Sequence, residues 1–76
     1  MPDRLTAIEP LAVDAAGAGR LVGVSRATWW RWHSAGRVPM PVRIGAKTPR
    51  WRTAELREWL DAGCPDRETW KRQRTA

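Results

Sequence analysis

The feature that most constrains this chain is a short helix with a clear start and a clear stop, between Val24 and Gly36. Ser25 is a good N-cap residue, because its hydroxyl can accept a hydrogen bond from a free amide of the first turn. Gly36 fits the left-handed backbone position that follows the last turn of many helices. The sequence therefore predicts both ends of this helix from local chemistry alone.

The two faces of this helix differ in chemistry. At about 100° per residue, one face carries Thr28, Trp29 and Trp32, and we assign both tryptophans to a small core. The opposite face carries small residues, an indole and two arginines: Arg26, Ala27, Trp30, Arg31 and Ser34. A short helix with an outward basic face suits the major groove of DNA, so we interpret it as a recognition helix.

The positive charge is concentrated in the middle of the chain, which carries a net charge of +6 overall. Residues 1–24 hold two bases and three acids, and residues 53–76 hold five of each. Residues 25–52 hold no acid and seven bases: Arg26, Arg31, Arg37, Arg43, Lys47, Arg50 and Arg52. Such a distribution indicates a polyanionic partner. A solvated basic face without a partner is the alternative.

The length and composition bound the other classes of protein. A chain of 76 residues suffices for one small domain, which buries only about 60% of the surface of its unfolded chain. The one cysteine, Cys64, permits no internal disulfide and favours a reducing compartment. No apolar run approaches the ~20 residues that cross a membrane, and no signal peptide is recognisable. We expect a cytoplasmic protein with no membrane partner.

The segment 11–22 predicts a helix before the recognition helix. Asp14 is the expected N-cap, and apolar residues recur at helical spacing after it. Gly17 and Gly19 either weaken this helix by up to ~1 kcal/mol each or permit a close approach to a neighbouring helix, and both explanations stay open. A glycine and a valine then supply the short turn of a helix-turn-helix.

The segment after Gly36 predicts a short basic hairpin, or wing. Val38 and Met40 are expected beneath the recognition helix, and residues 45–49 supply the turn. Because side chains alternate along a strand, one face should be buried and the other exposed. The expected core face carries Val42, Ile44 and Trp51. The expected outer face carries Arg43, Arg50 and Arg52, with Lys47 at the tip.

The last third of the chain predicts two further helices. Thr53 is expected to cap a helix that Gly63 ends, and its apolar stripe should close the core. This stripe consists of Leu56, Trp59 and Leu60. Asp66 is expected to cap a last short helix, whose Trp70 either docks on the core or contacts a partner.

Together these elements predict a mostly α fold with a small β-hairpin, arranged as a winged helix-turn-helix. We expect a flexible N-terminal arm over residues 1–10, the DNA-binding domain over residues 11–63 and a short helical tail over residues 64–76.

Two long stretches resemble a known family. They read GVSRATWWRWHSAGRVPMPVRIG from residue 23 and PRWRTAELREWL from residue 49. They are similar to AlpA-type, phage-derived helix-turn-helix regulators, within the wider group of MerR-like winged-helix domains and excisionases, over about residues 11–62. The resemblance implies DNA contacts from the second helix and the wing. Mapped onto this chain, they are Ser25, Arg26, Ala27, Trp30, Arg31, Arg43, Lys47, Arg50 and Arg52.

The chemistry of individual contacts stays open in the sequence. Arg26 and Arg31 each suit either a bidentate contact to guanine or a phosphate contact. Trp30 either lies along the sugar-phosphate backbone or folds back onto the first helix. His33 has no cysteine or second histidine near it, so no metal site is expected. No phosphate-binding glycine loop or catalytic triad pattern appears, so we expect neither an enzyme nor a cofactor.

The expected function is sequence-specific binding of double-stranded DNA, by a small transcriptional regulator or an excisionase-like factor that directs recombination. Self-association is expected only as cooperativity on DNA, because the tail is too short for a dimerising coiled coil. The alternative function is a protein-interaction adaptor, which docks on a larger DNA-associated factor through the Trp-bearing tail.

Overall fold

The computed structural model describes residues 10–75, which form four helices and a three-stranded antiparallel sheet. The elements in chain order are β1 (Ala12–Val13), α1 (Ala15–Val22), α2 (Arg26–Ser34), β2 (Val42–Ile44), β3 (Thr48–Arg52), α3 (Thr53–Asp61) and α4 (Arg67–Thr75). The strand order is β1-β3-β2, so β3 is the central strand. The flexible arm expected over residues 1–10 lies, apart from Pro10, outside the described residues.

The strand β1 corrects the prediction of one helix over residues 11–22. Ala12 pairs with Arg52, and Val13 pairs with Trp51. Asp14 is the N-cap of α1, as expected, and its carboxylate accepts a hydrogen bond from the amide of Gly17 at 2.9 Å. A helix cannot include residues that precede its own N-cap. The apolar residues before Asp14 therefore extend and pair with β3, which makes the sheet larger than the predicted hairpin.

The first two helices approach each other closely at Gly19. A Cβ atom at this position would lie 2.6 Å from the carbonyl oxygen of Val24, and one at Gly17 would lie 2.8 Å from the Cβ of Val13. Real Cβ contacts are essentially never this short. Of the two explanations, close approach to the neighbouring helix is the one that the packing supports for Gly19, whereas the close neighbour of Gly17 is Val13 of β1.

The core is built mainly of tryptophan rings. Trp29 of α2 is fully buried. Its ring meets the ring of Trp51 at 5.5 Å and that of Trp59 at 6.0 Å between centroids, both nearly edge-to-face. This geometry is favourable because the positive edge of one ring faces the negative face of the other. The indole N–H of Trp51 donates to the carbonyl oxygen of Pro39, so the polar group of this buried ring has a hydrogen-bond partner inside the protein.

Three predictions about individual side chains are wrong. Thr53 does not cap α3: it is the first residue of the helix, and its hydroxyl donates instead to the carbonyl oxygen of Pro10 at 2.7 Å. Leu60 is 47% exposed, so the apolar stripe of α3 buries only its other two members. Met40 is 56% exposed, although Val38, two residues earlier, is fully buried.

The C-terminal helix α4 packs onto the same core. Trp70 is only 7% exposed, and its indole N–H donates to the Glu55 carboxylate at 2.9 Å. Asp66 accepts from the amide of Thr69 at 2.8 Å, which is the capping bond expected from the sequence. Of the two positions considered for Trp70, the structure shows core docking.

Candidate nucleic-acid interface

The outward face of α2 is basic and largely free of neighbouring elements. Arg26, Ala27 and Arg31 are exposed. The Ser25 hydroxyl accepts from the Thr28 amide at 3.1 Å, so it acts as the predicted N-cap. A guanidinium N–H of Arg31 donates to the Thr28 hydroxyl at 3.4 Å, a weak contact that leaves its other donors free. The helix therefore presents two arginines from a rigid support.

Trp30 packs against the sheet and against its own helix. It is half-buried, and its ring lies against Trp51 of β3 at 5.7 Å and against His33 at 5.5 Å between centroids. The side chain thus fills the angle between α2 and the sheet. A role for its exposed part in contacting DNA stays a prediction.

The facing of the hairpin is the main correction to the predicted site. Partner residues in an antiparallel pair share a face, and Arg43 pairs with Pro49 while Val42 pairs with Arg50. Trp51, two residues after Pro49, therefore shares its face with Arg43. The prediction had placed Arg43 opposite Trp51, and Val42 with Ile44 on the core side. Ile44 is instead 57% exposed.

The basic residues of the hairpin are consequently divided between two faces. Arg43 lies on the α2 side, and Lys47 is exposed in the turn at the tip. Arg50 and Arg52 lie on the opposite face. Arg50 is half-buried and donates to the carbonyl oxygen of Pro49 at 2.9 Å.

Arg50 is also close to an acid of the neighbouring chain segment. The hydrogen bond from the Gly17 amide lowers the pKa of Asp14, and the charges of Arg50 and Arg20 lower it further. Arg50 is thus engaged within the protein. Arg43 lies on the face of the hairpin that Trp51 presents to α2, whereas Arg50 and Arg52 lie on the opposite face.

A residue pair that the sequence did not reveal joins the end of α2 to α4. Arg67 of α4 donates from its guanidinium to the Nδ1 atom of His33 at 3.1 Å and to the His33 carbonyl oxygen at 3.0 Å. Burial lowers the pKa of His33, and the positive charges of Arg67 and Arg43 lower it further. His33, predicted to be no metal ligand, is a neutral hydrogen-bond acceptor in this arrangement. No local signal relates two residues that lie so far apart in sequence.

The fold, mixed helical with a three-stranded antiparallel sheet, is compatible with a small DNA-binding domain. The chain belongs to the family described as prophage CP4-57 regulatory protein (AlpA), which it matches over residues 18–64. That match confirms the resemblance seen in the sequence, and proteins of this regulatory family are generally non-enzymatic. Comparisons with curated proteins and with solved structures gave no match. No helix in the described part of the chain is long and apolar enough to cross a membrane.

Proposed function

We propose that this chain binds double-stranded DNA in a sequence-specific manner as a winged helix-turn-helix. In this proposal α2 enters the major groove, and the β2–β3 hairpin, here called the wing, lies over the adjacent backbone. The protein then acts as a small transcriptional regulator or as an excisionase-like factor that directs recombination. Residues 11–63 are the DNA-binding unit, with α4 packed on it as a helical tail.

The observation that carries this proposal is the placement of unopposed positive charge on two adjoining elements. Arg26 and Arg31 are exposed on α2, and Lys47 is exposed on the wing, within a stretch of 28 residues that holds no acid. The exposed face of a helix fits the major groove, where each base pair presents a distinct pattern of donors and acceptors. Bases on a narrow flanking hairpin suit phosphates, which carry no sequence information directly.

The adaptor alternative loses the residue on which it depended. It required the indole of Trp70 to face a partner, and that indole is buried and bonded to Glu55. The side chains that α4 exposes among the described residues are polar or charged, so they give no apolar anchor of the kind that dominates binding energy at protein interfaces.

The test is selection of bound sites from random duplex DNA, followed by affinity measurements on the selected duplex and a scrambled duplex over a series of salt concentrations. Specific binding predicts one enriched motif and a preference for the selected duplex at every salt concentration. Equal affinity for both duplexes would contradict specificity and leave only a general polyanion binder. Retention of neither duplex at moderate salt would contradict DNA binding itself.

The same selection reports how many protomers bind. We propose that the free chain is a monomer and associates only on DNA, because none of the described helices carries the heptad repeat of a dimerising coiled coil. Two enriched half-sites about one helical turn apart would indicate paired protomers. A stable dimer in sedimentation without DNA would contradict this part of the proposal.

A further inference from the structure

Arg67 of α4 binds the end of α2 and the segment that connects α2 to the wing through four hydrogen bonds. Its guanidinium donates to the carbonyl oxygen of Val38 at 3.0 Å, and to the carbonyl oxygen and the Nδ1 atom of His33 at 3.0 and 3.1 Å. Its backbone amide donates to the carbonyl oxygen of Gly36 at 3.0 Å. A planar guanidinium, always charged, is suited to several acceptors held in fixed directions.

These bonds also fix the ring of His33. Arginine can only donate, so the Nδ1 atom of His33 must accept and the ring must be in the neutral tautomer with its proton on Nε2. The ring lies edge-on to Trp30 at 5.5 Å and to Trp51 at 5.8 Å between centroids. A continuous set of contacts therefore runs from α4, through the end of α2, to β3 of the wing.

Arg67 lies outside both the acid-free basic stretch and the matched region 18–64. It is half-buried, and its donors are directed to acceptors of the protein rather than to solvent. This placement separates it from the arginines that face outward on α2. Arg67 therefore contacts the elements that carry the proposed interface and is not one of its exposed arginines.

We propose that Arg67 is a positioning residue for DNA recognition, which sets the orientation of α2 relative to the wing without touching DNA itself. This inference rests on the proposed function. Both basic elements must meet one duplex at once, and the connection between them contains the buried residues Val38 and Pro39. When the three guanidinium bonds are lost, the helix arginines lose their alignment with base edges, while flexible contacts to phosphates persist.

The experiment compares three variants of the full chain on the selected and scrambled duplexes. Arg67→Lys keeps the positive charge, but a single ammonium cannot reproduce the planar fork. Arg67→Ala removes both the positive charge and the planar hydrogen-bonding group. Arg74→Ala is the matched control, because Arg74 lies on the same helix but pairs with Glu58 of α3 at 3.1 Å and lies over the ring of Trp70. Thermal melts establish that each variant is folded at the assay temperature.

We expect Arg67→Lys and Arg67→Ala each to lose about fivefold or more of the preference for the selected duplex, the size of one base contact. The dependence of affinity on salt should stay unchanged for Arg67→Lys, and Arg74→Ala should keep the wild-type preference. Full preference in Arg67→Lys would overturn the inference, since charge alone would then suffice. An equal loss in Arg74→Ala would also overturn it, by showing that any loosening of α4 has the same effect.

Nuclear magnetic resonance of the wild-type complex gives a readout that needs no variant. The Nδ1 signal of His33 should keep the shift of a hydrogen-bonded acceptor when DNA is bound, and no proton of Arg67 should lie near a DNA proton. A direct contact between Arg67 and DNA would show that it binds DNA, and the positioning role would be wrong. A wild-type chain that binds both duplexes alike would contradict the proposed function, and this inference with it.

Discussion

Helix α2 and the wing carry the same kind of charge, but the core holds them very differently. α2 places the fully buried Trp29 at the centre of the tryptophan cluster, and both of its ends are fixed, by the Ser25 cap and by the bonds from Arg67. The wing is anchored at its base by Trp51, whereas Ile44 and the turn after it are exposed. Packing therefore restrains α2 along its length and restrains the wing only at its base.

This difference suggests how the two elements divide their work. Reading a base edge requires donors fixed to within a few tenths of an ångström, which a helix packed on a core can provide. A hairpin tip that few contacts restrain can follow the phosphate backbone, whose attraction tolerates movement. We therefore expect specificity from α2 and general affinity from the wing, and the following predictions test that division.

The largest expected effect is a loss of stability at Trp51, which packs between α2 and the wing. Trp51→Ala should lower the free energy of unfolding by about 3–5 kcal/mol, since it removes a buried ring that contacts Trp29, Trp30 and His33. Chemical denaturation measures this change. Ile44→Ala, on the exposed face of the wing, is the matched control and should change stability by less than about 0.5 kcal/mol. Similar losses in both variants would mean that the two faces are not distinct.

The next effect concerns α2 alone. Arg31→Ala should cost about 1–3 kcal/mol of binding free energy on the selected duplex and much less on a scrambled one, because it removes a donor to base edges. Its stability should be unchanged, as the side chain is exposed. Titrations on the two duplexes measure the difference. An equal loss on both would assign Arg31 to phosphates.

A smaller and uniform effect is expected from the wing. Lys47→Ala should weaken binding to all duplexes alike and reduce the slope of log affinity against log salt by about one. Arg50→Ala is its control: this side chain is turned toward Pro49 and Asp14, so its loss should change the slope less. If Lys47→Ala alters site preference instead, the wing is the reading element.

Acid should lower the stability of the domain modestly, through His33 at the end of α2. The pKa of His33 lies below its ordinary value of 6.5, so the unfolded chain binds more protons and stability falls as pH drops from about 6.5 through the lowered pKa. A second loss should begin below about 3.8, where the capping carboxylates Asp14 and Asp66, whose pKa values are also lowered, become protonated. Melting temperatures across pH measure both. His33→Gln should remove only the upper loss.

Local chemistry made α2 predictable, and distance in sequence limited the rest. The cap at Ser25, the stop at Gly36 and the burial of Trp29 all follow from neighbours within one or two turns. The strand β1 depends on pairing with residues about 40 positions away, and its two residues carry too little pattern to show it. The facing of the wing required the register, which a single pairing offset reverses.

The interface was predictable in its charge and not in its geometry. A count of bases located it on α2 and the wing, but could not show that Arg50 is engaged within the protein. The role of Arg67 could not be predicted, because its side-chain acceptors lie 29 and 34 residues earlier in the chain. Only the folded arrangement of α4 brings these atoms together.

The pairing of the short strand β1 with β3 implies an order in which parts of the domain fold. Its last bonds join the chain across 43 residues, from Pro10 to Thr53, whereas β2 and β3 meet through a three-residue turn. Closing the longer loop costs more chain entropy, so this pairing forms after the hairpin and the helices are compact. We therefore expect it to open more readily than the hairpin pairing in the native state, so that the amide of Thr53 exchanges its proton with solvent earlier than the amides that pair β2 with β3.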